Sequence, residues 1–444
     1  MSNYGRPFFS HSFGRLQLIS IVVFFMPVFF LTVKSWVTTS LFLLFLICVW
    51  PIISNWTHYF SNRGKQFWVL LTCLVIPFFS ELIAQIGRGE IVGSSLDGPS
   101  RMILAATVFV YLSRVEVSHV IRALSLGAVF GLIGIACSLL LFPEQYWQHR
   151  AATYFVDPIT LPCFTLGLLG LALFLNRVAG PREIRLAIKL FLVFVAVYIC
   201  IESGSRSSWV AFSCLMAAYV LYLWRRSFKY QVIGMIGLLI ALFAIYLLSK
   251  TVYERVNESA RGVLAFVFQG EHMNDDARLV VHHTSSGQRL LLGLVDIHLI
   301  KGSPLFGVGD RTSLPPFEEL SSAIPLLSEE VYEIKILAGS HSELLAQLVR
   351  QGLLCGTATL CSLFLYPLYV FVLRFRRFTF SDGSLSVGAL GIIIPILASS
   401  LTIQVFNLKM TISFYGLCLA IFFACLCQNV ERESTEKTIE TNFQ

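Results

Sequence analysis

The sequence predicts an all-α integral membrane protein, a polytopic bundle of about twelve transmembrane helices with one large loop between the ninth and tenth. Three observations carry that reading. Of the 444 residues, 56% are hydrophobic and only 13% charged, against about 25% charged in a soluble globular chain, and the mean hydropathy is +0.74. Apolar runs close to the roughly 20 residues needed to cross a bilayer recur along the chain. No stretch shows the ten-residue alternation of an outer-membrane barrel strand. A soluble enzyme and a single-anchor receptor are therefore excluded, and no nucleic acid partner is expected.

The runs lie near 16–33, 36–53, 67–86, 102–113, 119–142, 158–176, 186–201, 208–224, 230–249, 351–373, 386–405 and 410–427. The fourth is too short alone and must borrow residues from its flanks. The first has no short apolar core followed by small residues before a soluble domain, so it reads as a retained span. Lys and Arg crowd alternate short segments, as at Arg177, Arg182 and Arg185, at Arg225, Arg226 and Lys229, and at Arg374, Arg376 and Arg377. The opposite short segments hold only Lys34, Arg88, Arg101, Arg150, Arg206 and Lys409. Basic residues in short loops mark the cytoplasmic side, which places both termini there. The chain then divides into 1–249 with the first nine spans, an outer loop subdomain of short helices at 250–340, the last three spans at 341–427, and a frayed cytoplasmic tail at 428–444. All eleven cysteines fall in or beside apolar runs; they read as packing residues, not as disulfides or metal ligands.

The loop is mixed in character. It carries acidic residues, the histidines His272, His282, His283 and His298, and apolar stretches such as Val263 to Phe268 and Leu290 to Ile300. A plain linker would not keep so much apolar surface, so the loop is expected to pack over the outer mouth of the bundle. Three polar features there could carry chemistry. Glu202-Ser203-Gly204-Ser205-Arg206-Ser207-Ser208 breaks two spans and puts Arg206 near the membrane boundary, where an arginine is costly unless paired or facing a cavity. Its fork of donors suits phosphate oxygens; pairing with Glu202 or a helix carbonyl is the bland alternative. Ser286-Gly287-Gln288-Arg289 precedes an amphipathic stretch ended by the Gly/Pro cluster 302–309, so Arg289 is expected at the start of a surface helix, a position that favours anions. The alternative is an arginine meeting lipid phosphates. Gly339-Ser340-His341-Ser342-Glu343 has a capping-box spacing, with Ser340 as candidate N-cap and His341 in the first turn. The helix dipole there disfavours imidazolium, and a neutral histidine can act as a general base; a capping or packing histidine is the other reading. The loop histidines lack H-E-x-x-H spacing, and no nucleotide-phosphate loop occurs, so no metal and no cofactor is expected.

Taken in order, Leu96-Asp97-Gly98-Pro99-Ser100-Arg101, Gly204-Ser205-Arg206, Gly287-Gln288-Arg289 with Pro304-Leu305-Phe306-Gly307-Val308-Gly309, and His341-Ser342-Glu343 before Gly352-Leu353-Leu354-Cys355-Gly356 resemble the O-antigen ligase and polymerase superfamily of bacterial inner membranes. Tyr253 to Glu258 and His341 to Leu345 look most like the ligases; Ser342 departs, since many relatives have asparagine there. The resemblance implies a GT-C-like glycosyltransferase that moves polysaccharide from undecaprenyl diphosphate to lipid A-core in the periplasmic leaflet, without metal or nucleotide, with membrane lipids around it. It implies His341 as base, Arg206 and Arg289 as a diphosphate clamp, and Arg101 as a further substrate-binding residue. A polymerase with the same donor is the runner-up. A transporter or flippase would more often carry ionisable residues near the midplane, whereas here, Glu81, Lys189 and a few residues near span ends apart, the spans are nearly free of charge and the polar residues collect at the outer face.

Overall fold

The computed structural model describes residues 8–141, 150–175, 181–223, 227–269, 275–309, 314–377 and 383–442. His272, Arg177, Arg225 and Arg226 lie outside the described residues. The first half of the chain forms α1 (Phe8–Phe29), α2 (Trp36–Ser54), the short α3 (Trp56–Phe60), α4 (Lys65–Arg88), α5 (Gly93–Leu112), α6 (Ser118–Leu141), α7 (Thr160–Leu175), α8 (Arg182–Ser203), α9 (Arg206–Leu223) and α10 (Phe228–Leu248). Five helices follow: α11 (Lys250–Gln269), α12 (Asp275–His283), α13 (Ser285–Gly302), α14 (Phe317–Ala323) and α15 (Glu329–Ala338). The bundle resumes with α16 (Glu343–Leu360), which passes through one π turn (Cys361–Leu365) into α17 (Tyr366–Arg377), then α18 (Gly383–Ser400) and α19 (Lys409–Asn442).

A helix stands over each apolar run, but among the described residues eight helices are long and apolar enough to cross a membrane by length and composition, while Gly14–Phe29, α7 and α18 are apolar and shorter. The fourth run does take its missing length from its flank. α5 begins at Gly93, nine residues before the run at 102, and Asp97 and Arg101 pair across one turn of it at 2.6 Å. The C-terminus differs from expectation: α19 continues through Asn442 without fraying at 431. That segment holds four glutamates, one arginine and one lysine, residues that favour helix, and Arg63 holds Glu431 at 3.2 Å.

α19 is the central post, its apolar window wholly buried, and it packs on α5. α10 packs along α9 and α11 yet has no buried residue, and a helix that is apolar all round without protein burying it belongs in lipid. Helix crossings use small residues, as in bilayers generally: Gly127 and Gly131 of α6 lie against the backbone of Phe24 and Pro27 in α1, and Gly170 of α7 lies against Gly391 of α18. The polar residues collect at the two ends. At one, Arg63 donates to Ser113, Arg114 donates to the Ser61 carbonyl and Gln428 donates to the Leu112 carbonyl. At the other sit α11 to α15, whose second apolar cluster, including Leu291, Val295, Leu320 and Val331, closes on Val349 of α16.

α16 is interrupted. Gly352 has φ 74° and ψ 178°, a conformation essentially confined to glycine, and the segment 303–309 fills the gap. Leu353 N–H donates to the Pro304 carbonyl at 2.7 Å, and Val308 N–H donates to the Val349 carbonyl at 2.8 Å. Arg88 adds its guanidinium to the Phe306 and Arg350 carbonyls at 2.6 and 2.8 Å. Backbone groups released by a broken helix at membrane depth must be satisfied by protein, and here they are. Gly307 (φ 69°) faces Gly352 so closely that a Cβ on it would come within 2.6 Å of the Gly352 nitrogen. Gly352→Ala should therefore cost about 1–3 kcal/mol and lower the thermal midpoint of the detergent-solubilised protein. Gly293→Ala on α13, whose Cβ would meet only the Leu345 side chain at an ordinary 3.9 Å, should leave it unchanged or raise it; equal effects of the two would sink the close-approach account.

Candidate functional site

Arg206 is placed by a helix-to-helix corner. α8 ends at Ser203, Gly204 takes the left-handed conformation at φ 58°, and α9 starts on Arg206 itself. Its partners come from the five-helix segment and not from Glu202: Arg206 donates to Ser286 Oγ at 2.7 Å and pairs with Glu258 of α11 at 2.5 Å. Arg255 approaches the same Glu258 oxygen at 3.6 Å.

Arg289 stands in the opening turns of α13, as the sequence predicts. Thr284 caps that helix, its hydroxyl accepting from Gly287 N–H at 3.2 Å. Gly287 is pressed against the Val281 backbone, which leaves no room for a Cβ. Among the described residues Arg289 makes no hydrogen bond or ion pair. Burial and the neighbouring charges of Arg206 and Arg150 push its pKa down to about 10. Arg150 is the residue that sequence reasoning missed. It donates to the Ser203 carbonyl at 2.6 Å, and burial together with Arg255 and Arg206 lowers its pKa, against the pull of Asp157. Four guanidinium groups thus gather around the carboxylates of Glu258 and Asp157. Such a surplus of desolvated positive charge is unfavourable by itself and is relieved by an anion with several oxygens.

The His341 segment is fixed from two sides, and its cap differs from the expected one. Ser342, not Ser340, is the N-cap of α16, its hydroxyl accepting from Leu345 N–H at 3.5 Å. His341 therefore precedes the helix and does not lie in its first turn, and the dipole effect, strongest within that turn, acts on it less than the sequence implied. The reason is a competing network. Ser340 donates to Asp296 Oδ1 at 2.8 Å and accepts from Lys335 at 2.8 Å, and Lys335 also pairs with Asp296; all three are buried. On the far side Ser342 donates to the Ser400 carbonyl at 3.1 Å, Glu343 N–H to the Ile403 carbonyl at 3.0 Å, and Phe406 N–H to Glu343 Oε2 at 3.0 Å. Asp296 lies seven residues beyond Arg289 on α13, two turns or about 10.5 Å along the same face. One rigid helix thus spaces the His341 segment from the arginines.

Arg101 is not brought to that cluster. It pairs with Asp97, which also holds Lys409 of α19, and its contacts are there. Beside this group, between α5, α16 and the segment leading to α19, lies a cavity of about 400 Å³ whose wall includes Ser340, Glu343, Gln347, Gln404, Asn407 and Lys409. Glu81, the acidic residue inside a span, is fully buried and pairs with Arg350 at 3.1 Å. Of the loop histidines, His282 and His283 end α12 and His298 lies on α13. The eleven cysteines are free thiols, eight of them buried.

No curated protein matches the chain. Residues 191–360, from within α8 to the end of α16, match the family model described as O-antigen ligase, and the matched segment carries Arg206, Arg289 and His341.

Proposed function

We propose that the protein is an O-antigen ligase: a metal-independent, inverting, GT-C-like glycosyltransferase that moves O-antigen polysaccharide from undecaprenyl diphosphate to lipid A-core at the periplasmic face of the bacterial inner membrane. In this reading the chain crosses twelve times, both termini are cytoplasmic and the five-helix segment 250–340 is the periplasmic subdomain. The observation that carries the proposal is Arg289 of the matched segment, a half-buried guanidinium beside Arg206 and Arg150 that has no counterion among the described residues.

The chemistry follows from that arrangement. An acceptor hydroxyl oxygen attacks the anomeric carbon on the face opposite the diphosphate and forms the new glycosidic bond. The bond from that carbon to the diphosphate oxygen breaks, and its electrons leave with undecaprenyl diphosphate. The hydroxyl proton passes to His341. The leaving group gains one negative charge as the bond breaks, and donors already aimed at that charge stabilise the transition state more than the ground state. Arg206 and Arg289 are the clamp in this proposal, and Arg150 joins them. Asp296, Lys335 and Ser340 are positioning residues, since they hold the backbone on which His341 rides.

Arg206→Ala and Arg289→Ala should each lower transfer by about 10²–10³-fold with normal membrane expression, measured with purified protein, undecaprenyl diphosphate-linked O-antigen and lipid A-core. Unchanged transfer would remove either residue from the clamp. His341→Ala should cost about 10²–10⁴-fold in kcat. Lengthening of the donor chain without lipid A-core would make the enzyme a polymerase, and loss of transfer in EDTA restored by a divalent ion would overturn the metal-free mechanism.

The unpaired charge gives a test that needs no turnover. Inorganic pyrophosphate at about a hundred times its Kd should stabilise the wild type by about 2.7 kcal/mol, read as a rise in thermal midpoint. Arg289→Met keeps the packing of the side chain and removes a charge that its neighbours repel, so its midpoint without ligand should not fall. Pyrophosphate should then have little effect on it. A midpoint that drops in Arg289→Met while the pyrophosphate response survives would argue against an anion site.

A further inference from the structure

The cavity beside His341 has a chemistry unlike that of the arginine cluster. Its floor is made of buried polar side chains that satisfy one another: Gln347 donates to Glu343 at 2.6 Å, Gln351 donates to Glu81 at 2.8 Å, and Thr359 donates to Gln351 at 2.7 Å. Its cations are each matched by a carboxylate, Lys335 by Asp296, Arg350 by Glu81 and Lys409 by Asp97. None of Arg150, Arg206, Arg255 or Arg289 reaches its wall. The space therefore offers no surplus positive charge for a phosphate, and its hydroxyls and amides do not suit a lipid tail.

It does offer unused hydrogen-bonding groups. Gln404 and Asn407 line the cavity, and among the described residues their side-chain amides, like the Ser94 hydroxyl, make no hydrogen bond. Pro99 and Phe406 supply apolar surface between them. Amides and hydroxyls alternating with apolar patches match a pyranose, which has polar edges and C–H faces. At about 400 Å³ the volume falls in the range of small-ligand sites, about 300–1,000 Å³.

We infer that this cavity is the subsite for the acceptor sugar, a neutral, hydroxyl-rich ring held by Gln404, Asn407 and Ser94 with its reacting hydroxyl toward the Ser340–Glu343 segment. The inference rests on the ligase reading and adds to it the place of the acceptor. Inversion requires the acceptor to enter from the side opposite the diphosphate. The cavity and the arginines are separate, spaced by α13, and Ser340 and Glu343, which flank the candidate base in the chain, line the cavity. A donor sugar would instead lie against the arginines that hold its diphosphate.

The test uses the full chain in detergent with two variants, Gln404→Ala/Asn407→Ala and the cavity-filling Ser94→Trp. Ser94 and Asn407 are exposed at the rim, and an unchanged thermal midpoint checks folding. Two lost hydrogen bonds should raise the KM for lipid A-core by about ten- to thirtyfold and leave the KM for the lipid-linked donor unmoved. An unmoved acceptor KM, or a rise in donor KM alone, overturns the proposal. Deacylated core oligosaccharide, followed by saturation-transfer NMR, should give a signal with the wild type that both variants lose. That arm is independent of turnover. If the wild type transfers nothing, the ligase reading fails and binding alone decides the cavity: no wild-type signal, or one that survives Ser94→Trp, overturns it.

Discussion

The gap in α16 at Gly352 is the constraint on which the functional end of the molecule depends. A continuous helix would need no partner for its backbone, but one broken at this depth must find donors and acceptors elsewhere. The segment 303–309 supplies them through Val308 and the Pro304 carbonyl, and Arg88 ties off Phe306 and Arg350. In doing so it fixes the end of α13 onto the bundle. The Pro304-to-Gly309 motif thus does more in this structure than end α13: it closes the break in α16. Its glycines let two backbones approach where a side chain would separate them.

With α13 anchored at its C-terminal end, the charges along it fall into order. Arg289 near its start faces other guanidiniums, and Asp296 two turns on is buried against Lys335 and Ser340. A buried pair contributes little net stability, whereas losing one partner leaves an uncompensated charge. Its value here is geometric: it sets the backbone of 339–342, and the Ser342 contacts to 400–406 finish the placement. A surplus of positive charge lies at the Arg289 end of α13 and paired charge at its Asp296 level, where the His341 segment is held. That division is the physical basis for assigning a leaving diphosphate to the first and a neutral sugar to the second.

Sequence periodicity and hydropathy located every apolar helix, because both signals are local. The number of helices that span was not legible to the same degree, since α7 and α18 are apolar but short and burial by neighbours can replace lipid. The corner at Gly204 and the start of α13 were readable from Gly-Ser-Arg and from Ser286-Gly287-Gln288-Arg289 before an amphipathic stretch, although the Thr284 cap was not. The cap of α16 was not. Ser340 satisfies the capping spacing, yet its hydroxyl is taken by Asp296 and Lys335, 44 and 5 residues away in the chain, and nothing local reports such a competitor. Arg150 escaped for the same reason: its neighbours Arg206, Arg255 and Ser203 meet it only in the fold. The cavity, assembled from α5, α16 and the segment before α19, has no sequence signature at all.

That Arg289 has no partner among the described residues also bears on how the site has to work. Folding places this charge next to others of the same sign, so the empty site is the less stable one, and an anion with several oxygens relieves the repulsion on arrival. Part of the binding free energy is then the release of that repulsion, which a diphosphate gains and a neutral sugar does not. In the proposed reaction the leaving group becomes more negative as the bond breaks, so the same repulsion favours the transition state beyond the ground state. The cost is held in the protein beforehand, through α13 and the Gly352 break, and needs no rearrangement at the moment of transfer.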